Sequence, residues 1–356
     1  MLLPIFRRQG ALALALMLGV AGAGSAIAAD EPTYEIFLSN NFVGNDWRQQ
    51  MLRSAEAVID KPPLAGRVNL RIENVENAVQ TQITSLNNMI RARPDAILID
   101  SASAEGLNPT IRKACAAGIL VISFDQVVTE DCAYALASDW DVIAEVTAEW
   151  LAEQIGGEGK VIVDRGLAGA PISAQLQGGF ESVLEGYPGI EIVGYFNGDY
   201  ALGPEQAGVA ALLAANPQID GILTQGYGAG ALQALQNAER PLVPIVGGSY
   251  NTSALACATT EGANCILMSN PAYLSAEAIK LAVEILDTGV RPEERVITFK
   301  GPMLTNNPVP SKLHPDQPME KLEVGVNAFP DQPPGLGMPI SPEWVEITAE
   351  EAAGTN

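Results

Sequence analysis

Short apolar runs alternate with longer amphipathic segments in two successive series, and several of the runs end in a polar side chain. Asp95-Ala-Ile-Leu-Ile-Asp100 reads as a strand, residues 108–117 as the helix after it, and Ile119-Leu-Val-Ile-Ser-Phe-Asp125 as the next strand. Runs this continuously aliphatic, without polar alternation, suit strands covered on both faces. Repetition of strand, helix and strand confines the chain to an α/β architecture with parallel sheets. In open sheets of that kind ligands sit outside the carboxyl ends of the strands.

The first series places strands at 34–39, 68–72, 95–100, 119–125 and 134–137, with helices at 45–59, 75–91, 108–117 and 142–155. Gly156 and Gly157 stop the last of these helices. The second series places strands at 160–163, 190–195, 221–224, 244–246, 265–269 and 295–299, with helices at 173–184, 205–215, 229–237 and 273–287. Two series imply two parallel sheets, each covered by helices. Beyond Gly301 the periodicity stops, and 10 of the 24 prolines fall between Pro302 and Pro342. This segment is expected to be an extended tail wrapped over one domain and disordered at its very end.

Arg7 and Arg8, the apolar stretch 11–20 and the small residues through Ala29 have the layout of a secretory signal peptide, residues 1–29. The chain is therefore expected to act outside the cytoplasm, where no nucleotide pool is at hand. Acidic residues outnumber basic ones 42 to 20, and without Arg7 and Arg8 the balance is 18 − 42 = −24. So acidic a surface repels phosphate backbones, which excludes nucleic acid as a partner. Cys115, Cys132, Cys257 and Cys265 form no C-x-x-C pair, and the one histidine, His314, lies in the tail, so no metal site is expected. An even cysteine count in an exported chain favours disulfides. Three pairings are possible, of which Cys115–Cys132 with Cys257–Cys265 is the most local.

The catalytic motifs fail. Gly226-Tyr-Gly-Ala-Gly230 is similar to a dinucleotide loop but has the wrong spacing, and no acid follows at the next strand end. Gly247-Gly248-Ser249-Tyr250 lacks the spacing of a nucleophile elbow. One misplaced histidine cannot complete a nucleophile–base pair. No cofactor is expected. What remains is polar and aromatic groups at strand ends: Asn45, Asp46 and Trp47, then Asp125 and Gln126, then Asp164, Arg165, Gln225, Ser249, Tyr250 and Asn270. Carboxylates and amides suit vicinal hydroxyls, and an aromatic face suits the C–H side of a sugar. Asn45 and Asp46 equally suit an N-cap of the following helix.

Ser39-Asn40-Asn41-Phe42-Val43-Gly44-Asn45-Asp46-Trp47, Pro94 to Asp100, Ala117-Gly118-Ile119, Ser123-Phe124-Asp125-Gln126 and Ala137-Ser138-Asp139 together resemble ribose-type periplasmic sugar-binding proteins. Gly221 to Gln225, Ala231 to Leu235 and Val246-Gly247-Gly248 continue the resemblance, which runs from about Tyr34 to Lys300. It implies two Rossmann-like α/β lobes with parallel sheets joined by a three-strand hinge, crossing near Ser138, Asn270 and Thr298. The first lobe would hold 30–137 and 271–297, the second 138–270 and 298–356 with the proline-rich tail. Ligand positions map to Asn45, Trp47, Asp125 and Asn270, and to Gln225, Gly226 and Ser249 in the second lobe.

Three positions depart from the family pattern. Leu176, with Gln175 and Gln177 beside it, stands where an arginine is usual; Gln126 and Ser249 replace a common arginine and aspartate. Arg165 is the candidate to supply the missing guanidinium, and Gln175 is a further candidate ligand residue. The resemblance implies a monomeric periplasmic receptor that delivers a neutral sugar or polyol to an ABC permease and is not an enzyme. A sensory receptor for chemotaxis or a histidine kinase, and a secreted carbohydrate-active enzyme, are the competing readings.

Overall fold

Alternation along the aliphatic runs decides which face each side chain covers. Leu38, Leu98 and Ile122 share one buried cluster, while their chain neighbours Phe37, Ile97 and Val121 share another, so the runs are strands of one sheet packed on both faces. Val161, Leu223 and Val246 repeat the arrangement against Ile162, Ile222 and Ile245 in a second sheet.

The computed structural model describes residues 33–355. The expected signal peptide, residues 1–29, lies outside them. No helix among the described residues is long and apolar enough to cross a membrane. The first series comprises β1 (Tyr34–Asn40), α1 (Asp46–Ile59), β2 (Val68–Asn74), α2 (Val79–Ala92), β3 (Ala96–Asp100), α3 (Asn108–Ala116), β4 (Leu120–Phe124) and β5 (Tyr134–Ser138). The second comprises α4 (Trp140–Gln154), β6 (Glu158–Asp164), α5 (Pro171–Glu185), β7 (Gly189–Phe196), α6 (Leu202–Ala215), β8 (Gly221–Leu223), α7 (Ala229–Asn237), β9 (Ile245–Gly248), α8 (Asn251–Thr259) and β10 (Cys265–Met268). Then follow α9 (Leu274–Thr288), β11 (Val296–Phe299), β12 (Met303–Thr305), β13 (Met319–Lys321) and α10 (Ala349–Ala353).

The sheets run β11-β5-β4-β3-β1-β2 and β13-β12-β10-β9-β8-β6-β7. Their cores repeat one order, with the first strand of each series between the second and third, which sets the topological switch beside that first strand. All pairings are parallel except β10 with β12, so the second sheet is mixed at one edge rather than purely parallel. The chain passes between sheets three times: from β5 into α4, from β10 into α9, and from β11 into β12. α8 escapes the sequence pattern because its apolar residues form no single stripe.

The tail departs from expectation. It is laid over both halves rather than one, and it is ordered as far as α10. It first follows the second sheet, where Lys312 N–H donates to Glu149 at 3.0 Å and His314 pairs with Glu145. It then crosses to α1, where Lys61 holds Glu351 at 2.6 Å and Ile347 and Ala352 join the first core. Thr348 and Glu351 form a reciprocal capping box that starts α10. Residues 341–353 thus lie on the half built on the first sheet, not on the second.

Cys115 pairs with Cys132 and Cys257 with Cys265, their Cα atoms 6.2 and 6.1 Å apart. The first bridge ties α3 to the loop before β5, and the second ties α8 to β10.

Candidate functional site

Both sheets end their strands toward a common cavity of about 650 Å³ of empty space, partly open to solvent. The β1–α1 turn contributes Phe42, Asn45, Trp47 and Arg48, and the loop after β4 contributes Asp125 and Gln126. From the second half come Trp140 at the start of α4, Ile172 and Leu176 of α5, and Tyr200 before α6. The loops after β8, β9 and β10 add Gln225, Ser249, Tyr250 and Asn270, and the tail adds Gly337.

Asn45 fulfils two expectations at once. Its side chain accepts the Arg48 N–H at 2.9 Å as the N-cap of α1, and it lines the cavity. The cap fixes the first turn, so Trp47 and Arg48 point inward, both buried. The Trp47 indole N–H donates to the Asn270 carbonyl at 2.7 Å. Asn270 in turn donates one amide N–H to Asp125 at 2.9 Å and accepts from Ser138 at 3.0 Å, so its side chain helps hold the strand ends together.

Arg48 is sandwiched between two carboxylates. It contacts Asp100 directly and lies 3.4 Å from Asp125, while Asn40 accepts a further hydrogen bond at 3.1 Å. Burial pushes the Asp125 carboxyl above its ordinary range, with Arg48 and Asn270 opposing, and burial lowers Arg48. Asp125 also holds a left-handed backbone, φ 57°, a conformation unusual for a residue with a side chain. The cluster carries one cation against two acids, so it presents no free positive charge to a ligand.

On the opposite side Gln225 is a scaffold. Its amide NH₂ donates to the carbonyls of Asp164 and Ser173 at 3.0 and 3.1 Å. Below it, buried Glu205 accepts three backbone N–H groups, those of Tyr227, Gly228 and Ala231, which pins the start of α7. Burial, aided by Asp164 nearby, raises Glu205 to about 7 against the pull of those N–H groups. Tyr227 stacks on Tyr250 with ring centroids 4.0 Å apart, and its hydroxyl donates to Asp46 at 2.5 Å.

Two lining groups have side-chain polar atoms that no described residue satisfies. Gln126 Oε1 and Trp140 Nε1 are buried without a hydrogen-bond partner among the described residues. One is an acceptor and the other a donor, both at the wall of a cavity lined by rings.

Of the candidate ligand residues named from the sequence, Asn45, Trp47, Asp125, Gln126, Gln225, Ser249, Tyr250 and Asn270 meet at this cavity. Asp46, Arg165 and Gln175 do not line it. Asp46 is exposed and turned to the Tyr227 hydroxyl. Arg165, one residue past the end of β6, lies exposed over the Tyr195 ring at 4.0 Å rather than supplying a guanidinium. Gln175 is exposed on α5 while its neighbour Leu176 faces the cavity, because successive helix positions point about 100° apart. Among the lining residues that the sequence reading did not name as ligand candidates are Arg48, Trp140, Ile172, Tyr200, Met268 and Gly337. Trp140 follows a strand end directly and could have been flagged on that ground; Gly337, in an aperiodic tail, carried no signal.

Paired α/β sheets whose strand ends converge on a ring-lined, charge-compensated cavity have the architecture in which small ligands are usually held. The chain belongs to the periplasmic binding protein domain family, which it matches over residues 36–289. It is 28% identical over 190 residues to the xylitol-binding protein of Mycolicibacterium smegmatis, covering 51% of this chain and about half, 54%, of that protein. It is 22% identical over 231 residues to the ribose import binding protein of Bacillus subtilis, covering 64% of this chain and 75% of the relative. Among solved structures, an ABC transporter solute binding protein from Thermobispora bispora superposes with a TM-score of 0.68 at 26% identity, over 80% of this chain and 87% of the other.

Proposed function

We propose that the protein is the periplasmic solute receptor of an ABC importer, binding a neutral sugar or polyol between two lobes. The observation that carries this reading is the pair of orphaned buried groups, Gln126 Oε1 and Trp140 Nε1, at a cavity walled by aromatic rings. A hydroxyl-rich ligand supplies both a donor and an acceptor to such a pair, and an unmet buried polar atom costs about 1–3 kcal/mol. Arg48 argues against a carboxylate ligand, because Asp100 and Asp125 already neutralise it. The relatives' own ligands, xylitol and ribose, have the same hydroxyl chemistry.

Closure follows from the connectivity. Three passages join the halves, near residues 138, 270 and 298, and these are the hinge of the proposal. A ligand touching both halves binds the closed form better and shifts that population. The closed monomer, freed of residues 1–29, then docks on the permease, and the ligand leaves unaltered. Calorimetric titration of the mature protein with alditols, pentoses, hexoses and amino acids tests this reading. Binding is expected for a sugar or polyol; binding confined to amino acids, or turnover of a bound sugar, would overturn it.

A further inference from the structure

The tail does more than cover the surface. Between α8 and α1 it runs beside the loop after β9, where the Thr252 N–H donates to the Pro334 carbonyl at 2.8 Å and the Asn251 N–H to that of Leu336 at 2.9 Å. The Met338 N–H donates to Ser249 O at 2.7 Å, and Tyr250 and Gly337 form an antiparallel bridge. From the other half, Gln50 of α1 takes up both backbone groups of one tail residue. Its amide donates to Gly337 O at 3.0 Å, and its Oε1 accepts the Gly337 N–H at 2.7 Å. Gln50 is buried, and Leu336 and Met338 are buried in the cluster that holds Trp47 and Tyr250.

Gly337 itself lines the ligand cavity. A Cβ placed there would lie 3.4 Å from Gln50 Oε1, 3.6 Å from Trp47 Cδ1 and 3.8 Å from Tyr250 Cε1, the first at the near edge of ordinary contact. The backbone at this residue is not left-handed, so nothing in its conformation demands glycine. A side chain at 337 would therefore fit the fold and occupy space between the two rings. The missing side chain is room in the site.

We infer that Gly337 is a specificity-determining residue: the tail forms a third wall of the ligand cavity, and the bare backbone at 337 sets how long a polyhydroxylated ligand the cavity accepts. The inference rests on the sugar or polyol reading above. Residue 337 lies beyond the stretch 36–289 that matches the family, so the wall is supplied by a part of the chain outside the matched domain. Because Gln50 and Ser249 hold the wall from opposite halves, its position follows their closure.

Two measurements test it on the full mature chain. The first is amide hydrogen exchange at Gly337 and Met338. A wall held by buried hydrogen bonds should exchange at least about 100-fold more slowly than the exposed tail around Val326; equally fast exchange would overturn the inference. The second is calorimetric affinity for alditols of increasing length, from erythritol through xylitol to sorbitol, in wild type, Gly337→Ala and Gly337→Val. The loss should grow with ligand length and with side-chain size, reaching at least about tenfold between the shortest and longest ligands that wild type binds. A uniform loss, or none, would overturn the specificity role. If wild type binds no sugar or polyol, the receptor reading and the length-selecting role fail together, whereas slow exchange would still uphold the tail as a wall and fast exchange would remove it.

Discussion

The indole N–H of Trp47 reaches the main-chain carbonyl of Asn270 across 223 residues of sequence, at 2.7 Å. That bond fixes the ring that lines the cavity to the strand end after β10, so ring orientation and the geometry of a crossing between the halves are set together. A rigid aromatic face is already in place before any ligand arrives, and little ordering entropy remains to be lost on binding.

Truncating Trp47 to alanine should weaken sugar or polyol binding by about 2 kcal/mol, roughly thirtyfold in Kd. Trp47→Phe keeps an aromatic face and loses only the bond to Asn270, so a smaller loss of about 1 kcal/mol is expected. Isothermal titration with the best ligand separates the two. Equal affinities for all three proteins would remove Trp47 from the site.

Arg48 is expected to matter for stability as well as for ligand. Arg48→Met removes the one cation facing Asp100 and Asp125, both buried, and should cost about 3–5 kcal/mol in urea unfolding at neutral pH. Asp125, which burial already pushes above its ordinary range, would lose the guanidinium that opposes that rise, so the cost should shrink as pH falls through the acid range. A cost independent of pH would mean that lost packing, not uncompensated charge, explains the defect.

Glu205 gives a pH dependence of definite sign. Its folded value of about 7 lies above the ordinary 4.5, so the folded state binds the proton more tightly than the unfolded chain does. The Glu205 contribution is fully present below pH 4.5, declines as pH rises toward 7, and is level above that. The change is on the order of 3 kcal/mol across the window. Glu205→Gln, which cannot ionise, should flatten that part of the stability–pH curve. An identical slope in the variant would show that Glu205 stays ionised throughout, held by its three backbone donors.

The two βα series were legible because they rest on short-range pattern, aliphatic runs and amphipathic spacing, and an even cysteine count pointed to disulfides while leaving their pairing open. Much of the site was legible for a related reason, since strand ends can be located and ligands gather there. What escaped was angular precision of a single residue and long-range partnership. Gln175 and Leu176 differ by one helix position, and only the second faces the cavity. Arg48 owes its role to Asp100 and Asp125, which lie on other strand ends. The tail was misread because its anchors are backbone groups: Gln50 grips Gly337 from 287 residues away, and no side-chain pattern announces such a contact.

The two disulfides should differ in what their removal costs. Cys115 and Cys132 are 17 residues apart and Cys257 and Cys265 only 8, so the first closes the larger loop in the unfolded chain. Chain entropy alone assigns about 3 kcal/mol to the first and about 2.5 kcal/mol to the second. Paired alanine variants of the first bridge should therefore lose more stability in urea unfolding than those of the second. Neither bridge touches the cavity: Cys265 opens β10 beside Ile245 at the start of β9, the end of the strand away from Ser249, and Cys115 and Cys132 pack with Ile111 in the cluster on the outer face of the first sheet. Ligand affinity of the folded protein should accordingly change little, less than about threefold, in either paired variant. The reverse stability ranking would mean that local packing, rather than loop closure, governs what these bridges do.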